Sequence, residues 1–237
     1  MEQLPKNQRL FPAESMKDWN YKAQAKRLFS LQILYLCLVT DVAFVVLNIL
    51  YEFHPGITDT ALKITQDRGY AEVFQYIKEF WIAGTLALIF FRTRSLLFLG
   101  WSALFFYLLL DDSLRIHENW SKAPYFPSLF GLGSNASGEL LISLGIGLFF
   151  LLWIAAAYRK TRDASSKAVS KSLTWMLFLL GFVGIFIDAL HILVQVPLLD
   201  PILTVIEDGG EMIVMSLILS FVLLLPQQIR RICKPSI

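Results

Sequence analysis

The sequence predicts an all-α polytopic membrane protein with six transmembrane helices and both termini in the cytoplasm. Three observations carry that expectation. The 237 residues are 56% hydrophobic and only 17% charged, against about a quarter charged in soluble chains, and the mean hydropathy is +0.57. The apolar residues fall into six blocks of the ~20 residues that a helix needs to cross a bilayer, roughly 29–51, 72–91, 95–114, 138–157, 172–196 and 202–225. The basic residues alternate in density between successive connections, which sets orientation.

Residues 1–28 form a polar arm in which Phe11, Trp19, Tyr21 and Leu28 are interspersed with lysines. That mixture suits either an amphipathic helix on the membrane surface or a disordered tail. It lacks the short apolar core and small-residue cleavage site of a secretory signal. Residues 29–225 form the membrane domain and 226–237 a basic tail. Sixteen of the 21 lysines and arginines lie in the arm, the second-to-third connection, the fourth-to-fifth connection and the tail. With six spans those four segments share one side. The expected location is a membrane crossed six times with both ends in the cytoplasm. Cys37 and Cys233 have neither a disulfide framework nor metal-type spacing. No nucleotide-binding loop, nucleophile elbow or nucleic-acid patch is present, so the expected surroundings are lipid, with a membrane-protein partner or homo-oligomer left open.

The first span carries Asp41 and Asn48 on one face. Asp41, nearer mid-membrane, either supports the bundle or marks a path from the inner side. In the second span Glu72, Gln75, Glu79 and Ile82 align, with Tyr76 beside them and Lys78 pointing elsewhere. The third span ends in five ionisable side chains within eight residues, Asp111-Asp-Ser-Leu-Arg-Ile-His-Glu118. If its helix continues to Glu118, Asp111, His117 and Glu118 lie within about 60° of one direction at ~100° per residue. Asp112 and Arg115 then face a neighbouring helix or a loop. The fourth span, polar only at Glu139 and Ser143, is expected to face lipid or pack. The fifth carries the stripe Gly181, Gly184, Asp188, His191 and Gln195, and the sixth aligns Thr204, Glu207 and Glu211.

At a rise of ~1.5 Å per residue these groups agree in depth, Asp111 and Asp188 about 24 Å from the inner helix ends and Glu79, Glu207 and Glu211 about 8–14 Å from the outer ones. Ionisable residues inside a membrane are costly and mark function by default. Asp111, His117, Glu118, Asp188, His191, Glu207, Glu211 and Glu79 supply six carboxylates and two imidazoles, which repel unless a cation joins them. The expected cofactor is a divalent metal, zinc, manganese or iron. It would serve hydrolysis by a zinc-bound hydroxide or di-metal oxidation on a lipid or membrane-proximal substrate. Asp188-x-x-His191 shares the step of the Glu-x-x-His motif of bundle di-metal proteins, an analogy of composition. The alternatives are a structural polar network in a non-catalytic subunit, and ion or proton transport.

The Leu110-Asp-Asp-Ser-Leu-Arg-Ile-His-Glu118 stretch, with Glu207-Asp-Gly-Gly-Glu-Met212, resembles uncharacterised six-span bacterial membrane proteins. That resemblance covers the helix ends and implies no known activity. Membrane hydrolases related to alkaline ceramidases and adiponectin receptors use three histidines, an aspartate and a serine over seven spans. This chain has three histidines in all, His54 falls in a loop, and no His-x-x-x-His pair occurs; membership of that group is not supported.

Overall fold

The computed structural model describes residues 13–121, 134–187, 190 and 200–232. Its helices are α1 (Ala13–Phe53), α2 (Tyr70–Thr93), α3 (Leu96–Leu114), the short α4 (Ile116–Ser121), α5 (Ser134–Lys160), α6 (Ala164–Gly181) and α7 (Asp200–Ile232). A π-helical turn, Phe182–Ile187, extends α6, and a 3-10 turn, Thr60–Leu62, lies between α1 and α2. Among the described residues there is no strand. Six helices are long and apolar enough to cross a membrane: Leu31–Phe53, Tyr70–Thr93, Leu96–Leu114, Ser137–Lys160, Ala164–Ile187 and Ile202–Pro226. The protein is therefore an all-α, multi-pass membrane protein. Such helices satisfy their backbone internally, which is what lets them lie in hydrocarbon.

The helix α2 is central, packing against α3 on one side and α7 on another. Helix α1 lies on α7, α5 on α3, and α6 with its π-helical turn on α7. One apolar core joins Ile82 and Leu86 of α2, Trp101 and Phe105 of α3, Ile154 of α5, and Ile218 and Leu219 of α7. Large apolar side chains such as Leu88, Leu148 and Trp175 remain exposed on the outer faces. That distribution suits a lipid solvent, where outward apolar surface carries no penalty.

The α1–α2 connection folds back over the helix ends. Ile64 is buried with Ala71 and Met212, and its backbone N–H donates to Asn48 Oδ1 at 3.1 Å. Asn48, on the same face as Asp41, thus ties this loop to α1. At the loop's other end Asp67 Oδ2 pairs with Arg115 Nη1 at 2.7 Å. The Arg115 side chain faces a loop, as its helical position suggested.

Candidate functional site

The end of α3 departs from the straight helix assumed from sequence. Arg115 adopts a left-handed conformation, φ 53°, and its N–H caps the helix on Asp111 O. The chain then restarts as α4 in a new direction, so helical spacing does not carry past Leu114. Asp111 and His117 still meet, by a different route. Asp111 Oδ1 accepts the His117 backbone N–H at 2.9 Å, and Oδ2 lies 3.1 Å from His117 Nδ1. The backbone hydrogen bond holds the start of α4 on Asp111 and brings the imidazole within ion-pair distance of the carboxylate's other oxygen.

The face of α2 towards α3 carries the acids. Glu79 is 1% exposed, and its Oε2 is buried with no donor in reach. The Glu79 carboxyl lies beside the carboxyl of Asp112, within the field of Glu211. Two carboxyls in that position hold together by sharing a proton or by binding a cation. Asp112, expected from its spacing to face a neighbouring helix or a loop, faces α2, and the side chain it meets there is Glu79. It therefore belongs with the acids, beside Asp111 and His117. Tyr76 donates to the Asp112 carbonyl at 3.2 Å. One turn from Glu79, Gln75 is also buried, and its Oε1 has no partner. Glu72 instead closes the preceding turn, accepting the Arg68 backbone N–H.

Glu211 reaches the group from α7. A Cβ added to Gly184 would lie 1.8 Å from Glu211 Oε1, so the carboxyl occupies the notch that the missing side chain leaves. Next to it, a Cβ on Gly210 would lie 2.7 Å from Val183 Cγ1. These two glycines allow the π-helical turn and α7 to approach at the level of the acids, and π-turns inside helices recur at functional sites. Glu207 is half-buried one turn away on α7. Asp188 and His191 lie outside the described residues, as does the Glu118 side chain. Among the described residues, no three His, Cys, Asp or Glu side chains are grouped so as to hold a metal ion.

Deeper in the bundle is a charge pair that spacing did not reveal. Lys78 is 0% exposed and Asp41 1%. Lys78 Nζ donates to Asp41 Oδ1 at 3.0 Å, Met212 O at 2.9 Å and Ser216 Oγ at 3.3 Å. Ser216 Oγ donates in turn to Asp41 Oδ2 at 2.5 Å. All three ammonium protons and both carboxylate oxygens are satisfied, and α1, α2 and α7 are joined at one point. A signal for this pair was present: Lys78 and Asp41 are charges well inside two separate spans, and each requires a partner there.

Comparison with known proteins adds a family and no activity. No curated protein and no solved structure matches. The model of a domain of unknown function, DUF8692, matches residues 29–225, all six spans included, and the chain belongs to that family.

Proposed function

We propose that this membrane protein binds a divalent metal at the end of the bundle where α2, α3, the π-helical turn and α7 meet. The observation that carries the reading is Glu79 Oε2, buried without a donor against the carboxyl of Asp112 and near that of Glu211. An oxygen-rich pocket with so few donors calls for a cation. His117 adds a nitrogen ligand, and Asp111 holds the start of its helix through the His117 backbone N–H. Glu118, Asp188, His191 and Glu207 are the remaining proposed ligands. Mixed carboxylate and imidazole donors suit zinc, manganese or iron. A metal held there would activate water for hydrolysis, or oxidise as a metal pair, on a lipid or membrane-proximal substrate. We place both termini in the cytoplasm, on the distribution of basic residues, and the membrane in a bacterial cell, on the resemblance of the helix-end stretches.

Elemental analysis after chelator-free purification tests the reading. Stoichiometric metal is expected in the parent and is lost in His117→Ala and His191→Ala; a metal-free parent protein overturns it. A second reading is a non-catalytic subunit held together by polar contacts. The complete Asp41–Lys78–Ser216 network favours it. It expects co-purifying membrane proteins and no metal. Transport draws less support, because Asp41, the step inward, has both oxygens engaged by Lys78 and Ser216.

A further inference from the structure

The opposite end of the bundle carries charge of the other sign. Arg92 and Arg94 flank the α2–α3 turn, and Arg159, Lys160 and Arg162 surround the α5–α6 turn; all five side chains are exposed. Asp163, the acid in these turns, is already committed. It caps α6, accepting from the Ser165 and Ser166 backbone N–H groups and from Ser166 Oγ. Among the described residues, no carboxylate pairs with any of the five cations.

The two turns lie side by side. Helix α3 touches α5 where a Cβ on Gly100 would meet Ile154 Cγ1 at 3.1 Å. Helix α3 is also tied to α6 where Trp101 Nε1 donates to Ser170 Oγ at 2.9 Å. These contacts lie within about two helical turns of Ser95, Lys160 and Arg162, so three helix ends converge. Lys167 sits over the Tyr158 ring at 5.2 Å, bridging the α5–α6 turn. The cations stand where the apolar spans Tyr70–Thr93 and Ser137–Lys160 end. At that level of a bilayer the nearest anions are phospholipid phosphates, and basic groups between helices at this level hold acidic headgroups.

We propose that the α2–α3 and α5–α6 turns together form one binding site for the headgroup of an anionic phospholipid. Arginine suits the role because its planar fork meets phosphate oxygens two at a time. The occupant is an acidic lipid rather than a zwitterionic one, because choline or ethanolamine would bring a cation into a site that has no anion to spare.

Native mass spectrometry of the detergent-purified protein tests this, with phosphatidylglycerol as the probe and phosphatidylcholine as the control. One phosphatidylglycerol should be retained at least ~10-fold more tightly than phosphatidylcholine. At about fivefold per juxtamembrane cation, the Arg92→Gln/Arg94→Gln and Arg159→Gln/Arg162→Gln variants should each weaken it by roughly thirtyfold. Arginine-to-lysine changes at the same four positions should weaken binding less than the glutamine changes, keeping the charge and losing the fork, and Lys63→Gln in the α1–α2 loop should leave it unchanged. Equal retention of the two lipids overturns the proposal, as does full affinity in both glutamine variants. Two lipids, each lost with one turn only, overturn the shared site. Complete displacement by millimolar inorganic phosphate shows a simple anion site and overturns the lipid assignment.

Discussion

Lys78 and Glu79 are consecutive on α2, equally buried, and their surroundings are opposite. Lys78 turns towards α1 and α7, where Asp41, Ser216 and the Met212 carbonyl use all its donors. Glu79 turns towards α3, where it meets another acid, Asp112, and keeps an oxygen without a donor. Taking a charge out of water costs several kcal/mol, offset only by a partner and complete hydrogen bonding. The first site meets that condition within the protein. The second meets it only with a proton or a cation added. The contrast separates a group that holds helices together from one that awaits a ligand, although the two side chains start one residue apart.

The largest expected effect comes from breaking the complete site. Lys78→Met leaves Asp41 buried and unpaired and should cost about 3–5 kcal/mol, read as a lower unfolding midpoint in mixed micelles. Adding Asp41→Leu removes the orphaned charge and should restore most of the loss, a non-additivity that a double-mutant cycle measures. An unchanged midpoint in Lys78→Met would erase the contrast.

Next in size is the notch. Gly184→Ala places a methyl 1.8 Å from the present position of Glu211 Oε1, so the carboxyl must move, at a cost of about 1–3 kcal/mol. Gly181 has nothing within 4 Å of an added Cβ, and Gly181→Ala should be neutral or gain up to about 1 kcal/mol in helix propensity. Metal content should fall in the first variant and hold in the second. Equal behaviour of the two would detach Glu211 from the site.

Much of this was readable from residues, and the failures have definite causes. Six apolar blocks of spanning length gave the six helices, and the steps of three and four on α2 placed Gln75, Glu79 and Ile82 on its buried face. The depth argument led to the end of the bundle where Asp111 lies against His117 and Glu79 beside Asp112. What spacing lacked was the break after α3. Arg115 takes a conformation usually left to glycine or asparagine, and nothing in Ser-Leu-Arg-Ile announces it. Asp112 was set apart because a helical wheel assumes one inward direction, whereas α3 has neighbours on two sides, α2 and α5. The Lys78–Asp41 pair joins residues 37 positions apart. Two intramembrane charges show that partners are needed, but only helix packing shows which ones they find.

Glu79→Gln sharpens the incomplete site from the other direction. The amide N–H₂ gives Asp112 the donor that a second carboxylate denies it, so stability should hold or rise by about 1 kcal/mol. Any bound metal should weaken. A loss as large as that of Lys78→Met would mean that Glu79 is already paired.

The smallest effect calibrates the comparison at the membrane surface, where a carboxylate is both exposed and fully bonded. Hydrogen bonds from the Ser166 side chain and backbone hold the Asp163 carboxyl below its ordinary value of 3.8. Because its folded value is depressed, its contribution is fully present above that ordinary value and is lost as pH falls through the lower one. Asp163→Ala removes the α6 cap and should cost about 1 kcal/mol at neutral pH, with parent and variant converging in strong acid. Water can replace those bonds in the variant, so the loss should stay well below that of Lys78→Met, where hydrocarbon and packed helices offer no substitute. A loss of equal size at the two positions would show that burial does not set the scale.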